Sequence, residues 1–325
     1  MTAQQVQFCP RLGVLDRFVA LVAWSIAIAL FVTVGWRVLR PVDPQGAVSL
    51  LTCRYPWLMV VQMAALGAVV AAATTVLVGR KLADAGVFAT CLGLAVANLR
   101  ADTLGSILIE LADRAAETRP NLALHFLLEA LVWSAIVLLA MVTGGFVLRW
   151  CFGQDRTDGV GVLSAMAVAD MPVIAGLLQT HDESRRPARV RSGVWHTLFT
   201  AVVAFALIGV LSTGSPVPTI KHGQVYFSIA AAFFVAGYLA HGRFPARTPL
   251  WTCLSVPVVS VGAYVWVMLV GSESVAGLPP NIPPSTYLRA LPIEYVTLGT
   301  LGSILAFWWT RPTYVDRTGP DAPGN

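Results

Sequence analysis

The chain has 325 residues, of which 56% are hydrophobic and only 12% are charged, and its formal net charge at pH 7 is +5. Soluble globular proteins carry roughly 25% charged residues, so this composition leaves no room for an ordinary soluble domain. The apolar residues form continuous runs without apolar/polar alternation, which excludes a membrane β-barrel. The sequence predicts an all-α, polytopic transmembrane helical bundle.

Eight membrane spans are predicted within a single integral membrane domain that covers residues 1–325. A helix needs roughly 20 apolar residues to cross the hydrocarbon layer. In chain order the predicted spans lie near residues 15–38, 57–79, 84–100, 122–148, 193–213, 222–241, 250–271 and 290–310. Between them a long loop covers 149–192, and residues 311–325 are expected to form a flexible tail.

The first apolar run is expected to remain in the protein as a helix. Arg11, Asp16 and Arg17 precede it, and it ends at Trp36 and Arg37 without a small-residue cleavage site. A secretory signal peptide would carry such a site after a shorter apolar region. The sequence therefore favours a retained first span over a removed leader.

Two segments compete for the third crossing, residues 84–99 and residues 160–180. The second contains Asp170 beside a proline, and an aspartate in the middle of a span costs roughly 2.5 to 3.5 kcal/mol on insertion scales. The first carries nothing more polar than Asn98 in its apolar part, although it is short. We favour residues 84–99 as the span and treat 160–180 as a cytoplasmic or interfacial segment, while the reverse choice stays open.

Basic residues between the later spans predict the orientation of the bundle. Lys and Arg in short loops are retained on the cytoplasmic side. The loop 149–192, the link 241–249 and the tail together hold ten arginines, whereas the loops before the spans 222–241 and 290–310 hold only Lys221 and Arg289. This distribution predicts that the loop 149–192 and both termini are cytoplasmic.

Ionisable side chains within spans are the best indicators of function in a membrane protein, because burying them is costly. His125 and Glu129 lie four residues apart and share one face of the fourth span, and Glu294 follows Pro292 at the start of the last span. In the favoured topology these three side chains lie at similar depth under the outer surface. They are candidates, with Asp170, for transport of a cation or relay of a proton.

A purely structural interpretation of the same carboxylates is equally concrete. Glu294 lies in the first turn of its helix, where a negative charge suits the helix dipole. Glu129 is one to two turns from its helix start, so its side chain could reach the interface. The sequence leaves both interpretations open and weights the structural one more heavily.

The densest charge in the chain is a short arginine-rich run directly before the fifth span. It is formed by Arg185, Arg186, Arg189 and Arg191. Beside a span, such a run fixes orientation and attracts anionic lipid by about 1 kcal/mol per residue. We predict a lipid or partner docking surface here and no binding of nucleic acid.

Neither a metal site nor a cofactor is predicted. The five cysteines are widely spaced and form no C-x-x-C pair, and the common nucleotide, hydrolase and zinc-protease motifs do not occur. Two histidines of one span, His222 and His241, are too far apart along the helix to ligate one haem, at about 1.5 Å of rise per residue.

Three functional hypotheses follow for a multi-pass protein of a cell membrane. The first is a non-enzymatic integral subunit or scaffold, whose partners are the lipid bilayer and either other membrane subunits or a second copy of the chain. The second is a small proton- or cation-coupled carrier that uses intramembrane carboxylates, and the third is an intramembrane enzyme. Lysine occurs only at Lys81 and Lys221 among many alanines and arginines, which is typical of a high-GC bacterium and indicates the bacterial cytoplasmic membrane.

Overall fold

A computed structural model describes most of the chain. The described residues are 14–43, 46–79, 82, 84–104, 106–107, 122–152, 186–212, 222–244, 246, 249–270 and 286–317. Within these ranges the regular structure is helical, apart from one isolated bridge between Ala47 and Asp102. The predicted all-α helical bundle is confirmed.

The described fold contains eight main helices. They are α1 (Val14–Leu39, with a π-helical stretch at Phe31–Gly35), α2 (Pro56–Val78), α3 (Ala85–Asn98), α4 (Leu122–Phe152), α5 (Arg186–Leu211), α6 (His222–Arg243), α7 (Pro249–Val270) and α8 (Pro292–Arg317). A single 3-10 turn, Thr286–Arg289, precedes the last of them. Three helices begin at a proline, which fits the first helical position because the N–H missing there has no partner in the helix.

Six of these helices are long and apolar enough to cross a membrane, namely α1, α2, α4, α5, α6 and α7. Each of them also leaves large apolar side chains exposed on the bundle surface, including Leu21, Val61, Phe146, Val202, Phe227 and Leu269. Soluble monomers rarely expose large apolar side chains on so many of their helices. The surface suits hydrocarbon, so the bundle is that of a membrane protein.

The two remaining helices, α3 and α8, form the inside of the bundle. Helix α3 packs against α1, α2, α4 and α8, and twelve of its fourteen residues are buried. Helix α8 packs against α3, α4, α6 and α7, and it is almost entirely buried from its start to Ile304. Because neighbouring helices shield them from lipid, α3 can be short and α8 can carry a carboxylate, threonines and glycines.

The eight helices alternate in direction, so that their connections gather at two ends. One end, which we call the capped end, holds the segment 40–55, residues 99–104 and the segment 286–291. Asp102 donates its backbone N–H to the Gly46 carbonyl, and the Tyr264 hydroxyl donates to the Ala290 carbonyl. Residues 14 and 317 lie at the opposite end. This alternation includes α3 as one complete passage between the two ends.

Three helices extend beyond the boundaries predicted for them. Helix α4 continues to Phe152 and α5 begins at Arg186, so both enter the stretch predicted as the loop 149–192. Helix α8 runs to Arg317, within the stretch predicted as a tail. Helical hydrogen bonding does not end where the hydrocarbon ends, so hydropathy alone places such ends too early. The competing segment 160–180 lies outside the described residues.

The orientation can be tested with two cysteines at opposite ends of the bundle. Cys151 is exposed at the end of α4, and Val42 is 71% exposed at the capped end. With the other native thiols replaced by serine, we expect an impermeant maleimide to label Val42→Cys on intact cells and to label Cys151 only after lysis. The reverse pattern would place the termini outside and contradict the predicted orientation. The serine replacements concern Cys9, Cys53, Cys91 and Cys253.

Candidate functional site

The carboxylate of Glu129 is buried in the bundle and hydrogen-bonded by three donors. Its Oε2 atom accepts from the Ser49 hydroxyl at 2.6 Å and from the Leu50 backbone N–H at 3.1 Å. Its Oε1 atom accepts from the indole N–H of Trp133 at 3.0 Å, one turn further along α4. The side chain is 1% exposed. Glu129 therefore fastens the segment 40–55 to helix α4.

The segment that reaches Glu129 is held in shape by its own hydrogen bonds. The Thr52 hydroxyl donates to the carbonyls of Ala47 and Ser49, and the Ala47 backbone N–H donates to the Ser106 hydroxyl oxygen at 2.9 Å. Nearby, burial raises the pKa of the Cys53 thiol to about 11, and the negative charge of Glu129 acts in the same direction. The thiol is thus protonated and weakly reactive at neutral pH.

The carboxylate of Glu294 forms a second polar cluster, built by α3, α6 and α8. Its Oε1 atom lies 3.0 Å from Nδ1 of His222 and 3.4 Å from the amide nitrogen of Asn98. Its Oε2 atom accepts from the Leu291 backbone N–H at 2.8 Å. This last bond is the reach of a third-position glutamate back to the residue that caps the helix. Glu294 combines a capping role with contacts to two other helices.

Further hydrogen bonds extend the Glu294 cluster across the capped end. The amide of Asn98 also donates to the Tyr226 hydroxyl at 3.1 Å, and that hydroxyl donates to the Ala95 carbonyl at 3.0 Å. The second ring nitrogen of His222 lies 3.0 Å from the Ala101 carbonyl. We call His222, Glu294, Asn98 and Tyr226 the His222 cluster.

Both carboxylates lie at the capped end, but they belong to separate clusters. Among the described residues no hydrogen bond joins Glu129 to Glu294. The aromatic ring of Tyr264 is a common neighbour, since both carboxylates act on it electrostatically, and it contacts Tyr295 with ring centroids 5.8 Å apart. The two carboxylates therefore form two separate hydrogen-bonded clusters that have Tyr264 as a common neighbour.

Comparison of the chain with known protein families, with characterised proteins and with solved structures finds no match.

Some of the other predicted site residues lie within the described part of the chain and others do not. His125 is half-buried on α4, one turn before Glu129, and acts on that carboxylate electrostatically. Asp170 and Arg185 lie outside the described residues. Arg186 and Arg189 lie on the first turns of α5, and the side chain of Arg191 is exposed there. A role for these residues remains a prediction.

A third polar cluster at the opposite end involves two histidines. The His196 ring lies with Nδ1 2.7 Å from the Phe244 carbonyl and Nε2 2.9 Å from the Thr252 hydroxyl, and it contacts the His241 ring edge-on at 5.7 Å. These contacts join α5 to α7 and to the connection between α6 and α7. Within the described part of the chain, no group of three or more His, Cys, Asp or Glu residues could hold a metal ion.

An apolar cavity of about 260 Å³ lies between α4 and α7 and is backed by α8. Its lining is aliphatic apart from a few hydroxyls and one thiol, and includes Leu131, Leu138, Met141, Leu254, Val256 and Val296. Such a lining offers little to orient a polar substrate, because ligand sites place several convergent polar groups among the apolar ones.

Sequence reasoning identified the two carboxylates but missed most of their partners. Ser49, Asn98, His222 and Tyr226 come from segments far from the glutamates in sequence. A usable signal was present in His222, which stands at the first residue of a span, where an ionisable group needs a partner. The identity of that partner depends on which helices are neighbours, and the pattern of apolar residues does not specify this.

Proposed function

We propose that this protein is a non-enzymatic, multi-pass membrane protein that serves as an integral subunit or scaffold of the bacterial cytoplasmic membrane. The observation that carries the proposal is the hydrogen bonding of the buried Glu129 carboxylate. All three donors around this carboxylate belong to the chain itself, and they attach the segment 40–55 to α4. A buried carboxylate bound in this way stabilises an architecture.

The position of the polar clusters supports the same proposal. Sites of secondary transporters are typically placed near the middle of the bilayer, at helices that are interrupted there. Here the Glu129 and His222 clusters lie at one end of the bundle and the His196 cluster lies at the other. The cavity between α4, α7 and α8 is apolar. These features favour a fixed framework over a substrate pathway.

The surfaces left for partners are the outer helices and the start of α5. The outer helices expose apolar side chains that suit lipid, a neighbouring membrane subunit or a second copy of the chain. Arg185, Arg186, Arg189 and Arg191 are proposed to dock against anionic lipid headgroups or a partner on the cytoplasmic side. The exposed side chain of Arg191 supports this role.

A proton- or cation-coupled carrier is the second candidate, and one observation favours it. Glu294 faces His222 at 3.0 Å, and the imidazole side chain is 18% exposed while the carboxylate is 3% exposed. A titratable pair that extends from a partly exposed position to a buried one is a possible first step of a proton pathway.

Replacing Glu129 with glutamine separates the two candidates. A glutamine keeps one oxygen acceptor for Ser49 and Leu50, so we expect the variant to fold. For a scaffold, we expect proteoliposomes with wild-type or Glu129→Gln protein to show the same proton flux after an acid jump, equal to that of protein-free vesicles. The measurement is the response of a pH-sensitive dye trapped inside the vesicles.

Matched amounts of reconstituted protein, checked by gel, make the comparison valid. Glu294→Gln is measured in parallel because it tests the second carboxylate. A wild-type flux well above protein-free vesicles that either variant abolishes at equal abundance would contradict the scaffold proposal and favour the carrier.

A further inference from the structure

The imidazole of His222 is placed between two hydrogen-bond acceptors. Its Nε2 atom lies 3.0 Å from the Ala101 carbonyl oxygen, and its Nδ1 atom lies 3.0 Å from Oε1 of Glu294. A carbonyl oxygen only accepts, so Nε2 must carry a hydrogen. In a neutral imidazole Nδ1 would then be a bare acceptor that faces a carboxylate oxygen.

A second hydrogen is therefore required between His222 and Glu294. It belongs to an imidazolium that donates to the carboxylate, or to a carboxylic acid that donates to a neutral imidazole. The other donors to Glu294 do not occupy the position between its Oε1 atom and Nδ1 of His222. Leu291 donates its N–H to Oε2, and Asn98 donates its amide N–H to Oε1. Without the additional proton, two lone pairs would face each other at 3.0 Å in a buried place.

Further charged and titratable groups come from the elements packed around the pair, and of these Asp102 favours the additional proton. Asp102, which follows α3, acts electrostatically on His222 with its negative charge. The guanidinium of Arg289 donates to the Ser212 carbonyl at 2.7 Å. Three tyrosine hydroxyls face the cluster or its neighbours, and each donates to a backbone carbonyl: Tyr226 from α6, Tyr264 from α7 and Tyr295 from α8.

An unpartnered acceptor lies beside the pair. Asn98 is 1% exposed, and within the described chain its Oδ1 atom has no hydrogen-bond partner, although its amide nitrogen is bound to Tyr226 and Glu294. Buried polar atoms are nearly always bound to protein or to water. An acceptor next to a carboxylate suits a water molecule or a hydronium ion that delivers a proton.

We infer that His222 and Glu294 form a binding site for one exchangeable proton, which enters from the aqueous phase at the capped end through the partly exposed imidazole. The bound proton joins α6 to α8, and through Ala101 and Asn98 it also joins them to the end of α3. Loss of the proton places a lone pair against the carboxylate and loosens this contact. The site is compatible with a scaffold and with a carrier, so it stands or falls independently of the proposed function.

Thermal unfolding in detergent at about pH 6 and about pH 9 tests the inference. The inferred proton is bound by the folded pair and not by the separated side chains of the unfolded chain, so the stabilisation that it provides is expected at the lower pH and is lost as the pH rises. We expect the wild-type unfolding midpoint to fall by about 3 °C between the two values. We expect His222→Gln to abolish most of this fall.

Glu294→Gln provides the decisive second variant, because the glutamine amide can donate to Nδ1 without an additional proton. We expect it to fold and to lose the pH dependence, whether or not His222→Gln folds. ¹⁵N-histidine NMR of the wild-type protein should also show one ring whose titration is altered by Glu294→Gln. An unchanged pH dependence of unfolding in Glu294→Gln, or histidine ring signals whose titration Glu294→Gln leaves unaltered, would overturn the inference.

Discussion

Replacing Glu129 with alanine is expected to lower the free energy of unfolding by about 3 kcal/mol, because hydrogen bonds to a charged group contribute about 1.5 to 3 kcal/mol and buried donors left without an acceptor add to the loss. The hydroxyl of Ser49, the backbone N–H of Leu50 and the indole N–H of Trp133 all lose their acceptor. The segment 40–55 would lose its attachment to α4. With the other four cysteines replaced by serine, unfolding in detergent, followed by a thiol-reactive dye that detects exposure of the buried Cys91, measures the effect.

Two milder variants show whether the loss comes from these hydrogen bonds. Glu129→Gln keeps an oxygen for Ser49 and Leu50 but turns an amide N–H₂ towards Trp133, so we expect an intermediate loss. Ser49→Ala removes a single donor and should cost about 1 kcal/mol. If Glu129→Ala proved as stable as wild type, Glu129 would not attach the segment 40–55 to α4. The observation that carries the scaffold proposal would then be wrong.

The helical bundle could be predicted from the sequence because bilayer thickness imposes long apolar runs on the outer helices. The inner helices follow different rules. Helix α3 is shielded by its neighbours and needs no full span of apolar residues, and α8 can hold Glu294, Thr297 and Thr300 because helices rather than lipid surround it. Hydropathy records the environment of a residue as apolar or polar, and it does not distinguish lipid from a packed helix.

Of the candidate site, only the buried carboxylates were predictable from the sequence. Glu129 and Glu294 stand out because a carboxylate in an apolar run demands a partner. Their partners were not predictable, since Ser49 lies in a connection without periodicity and His222 is 72 positions before Glu294. Such pairs depend on the order of helices in the bundle. The same dependence explains why the sequence grouped His125, Glu129 and Glu294 into one possible site, whereas the glutamates belong to two clusters.

Replacing Gly302 with alanine is expected to destabilise the contact between the inner helix α8 and α6. A β-carbon at this position would collide with the backbone carbonyl of Ala230 and lie 3.2 Å from the β-carbon of Phe233. A backbone carbonyl cannot rotate away as a flexible side chain does, so the two helices must separate. Overpacking in a core costs typically about 1 to 3 kcal/mol, and we expect the upper part of that range.

Gly262→Ala on α7 is the matched control, because nothing lies within 4 Å of a β-carbon added there. Alanine favours a helix over glycine by up to about 1 kcal/mol, so this variant should be neutral or slightly more stable. Unfolding midpoints of both variants in the same detergent make the comparison. Equal stability of the two variants would mean that α6 and α8 are further apart than in the structure. The distance between His222 and Glu294 would then be larger as well, since these residues lie on the same two helices.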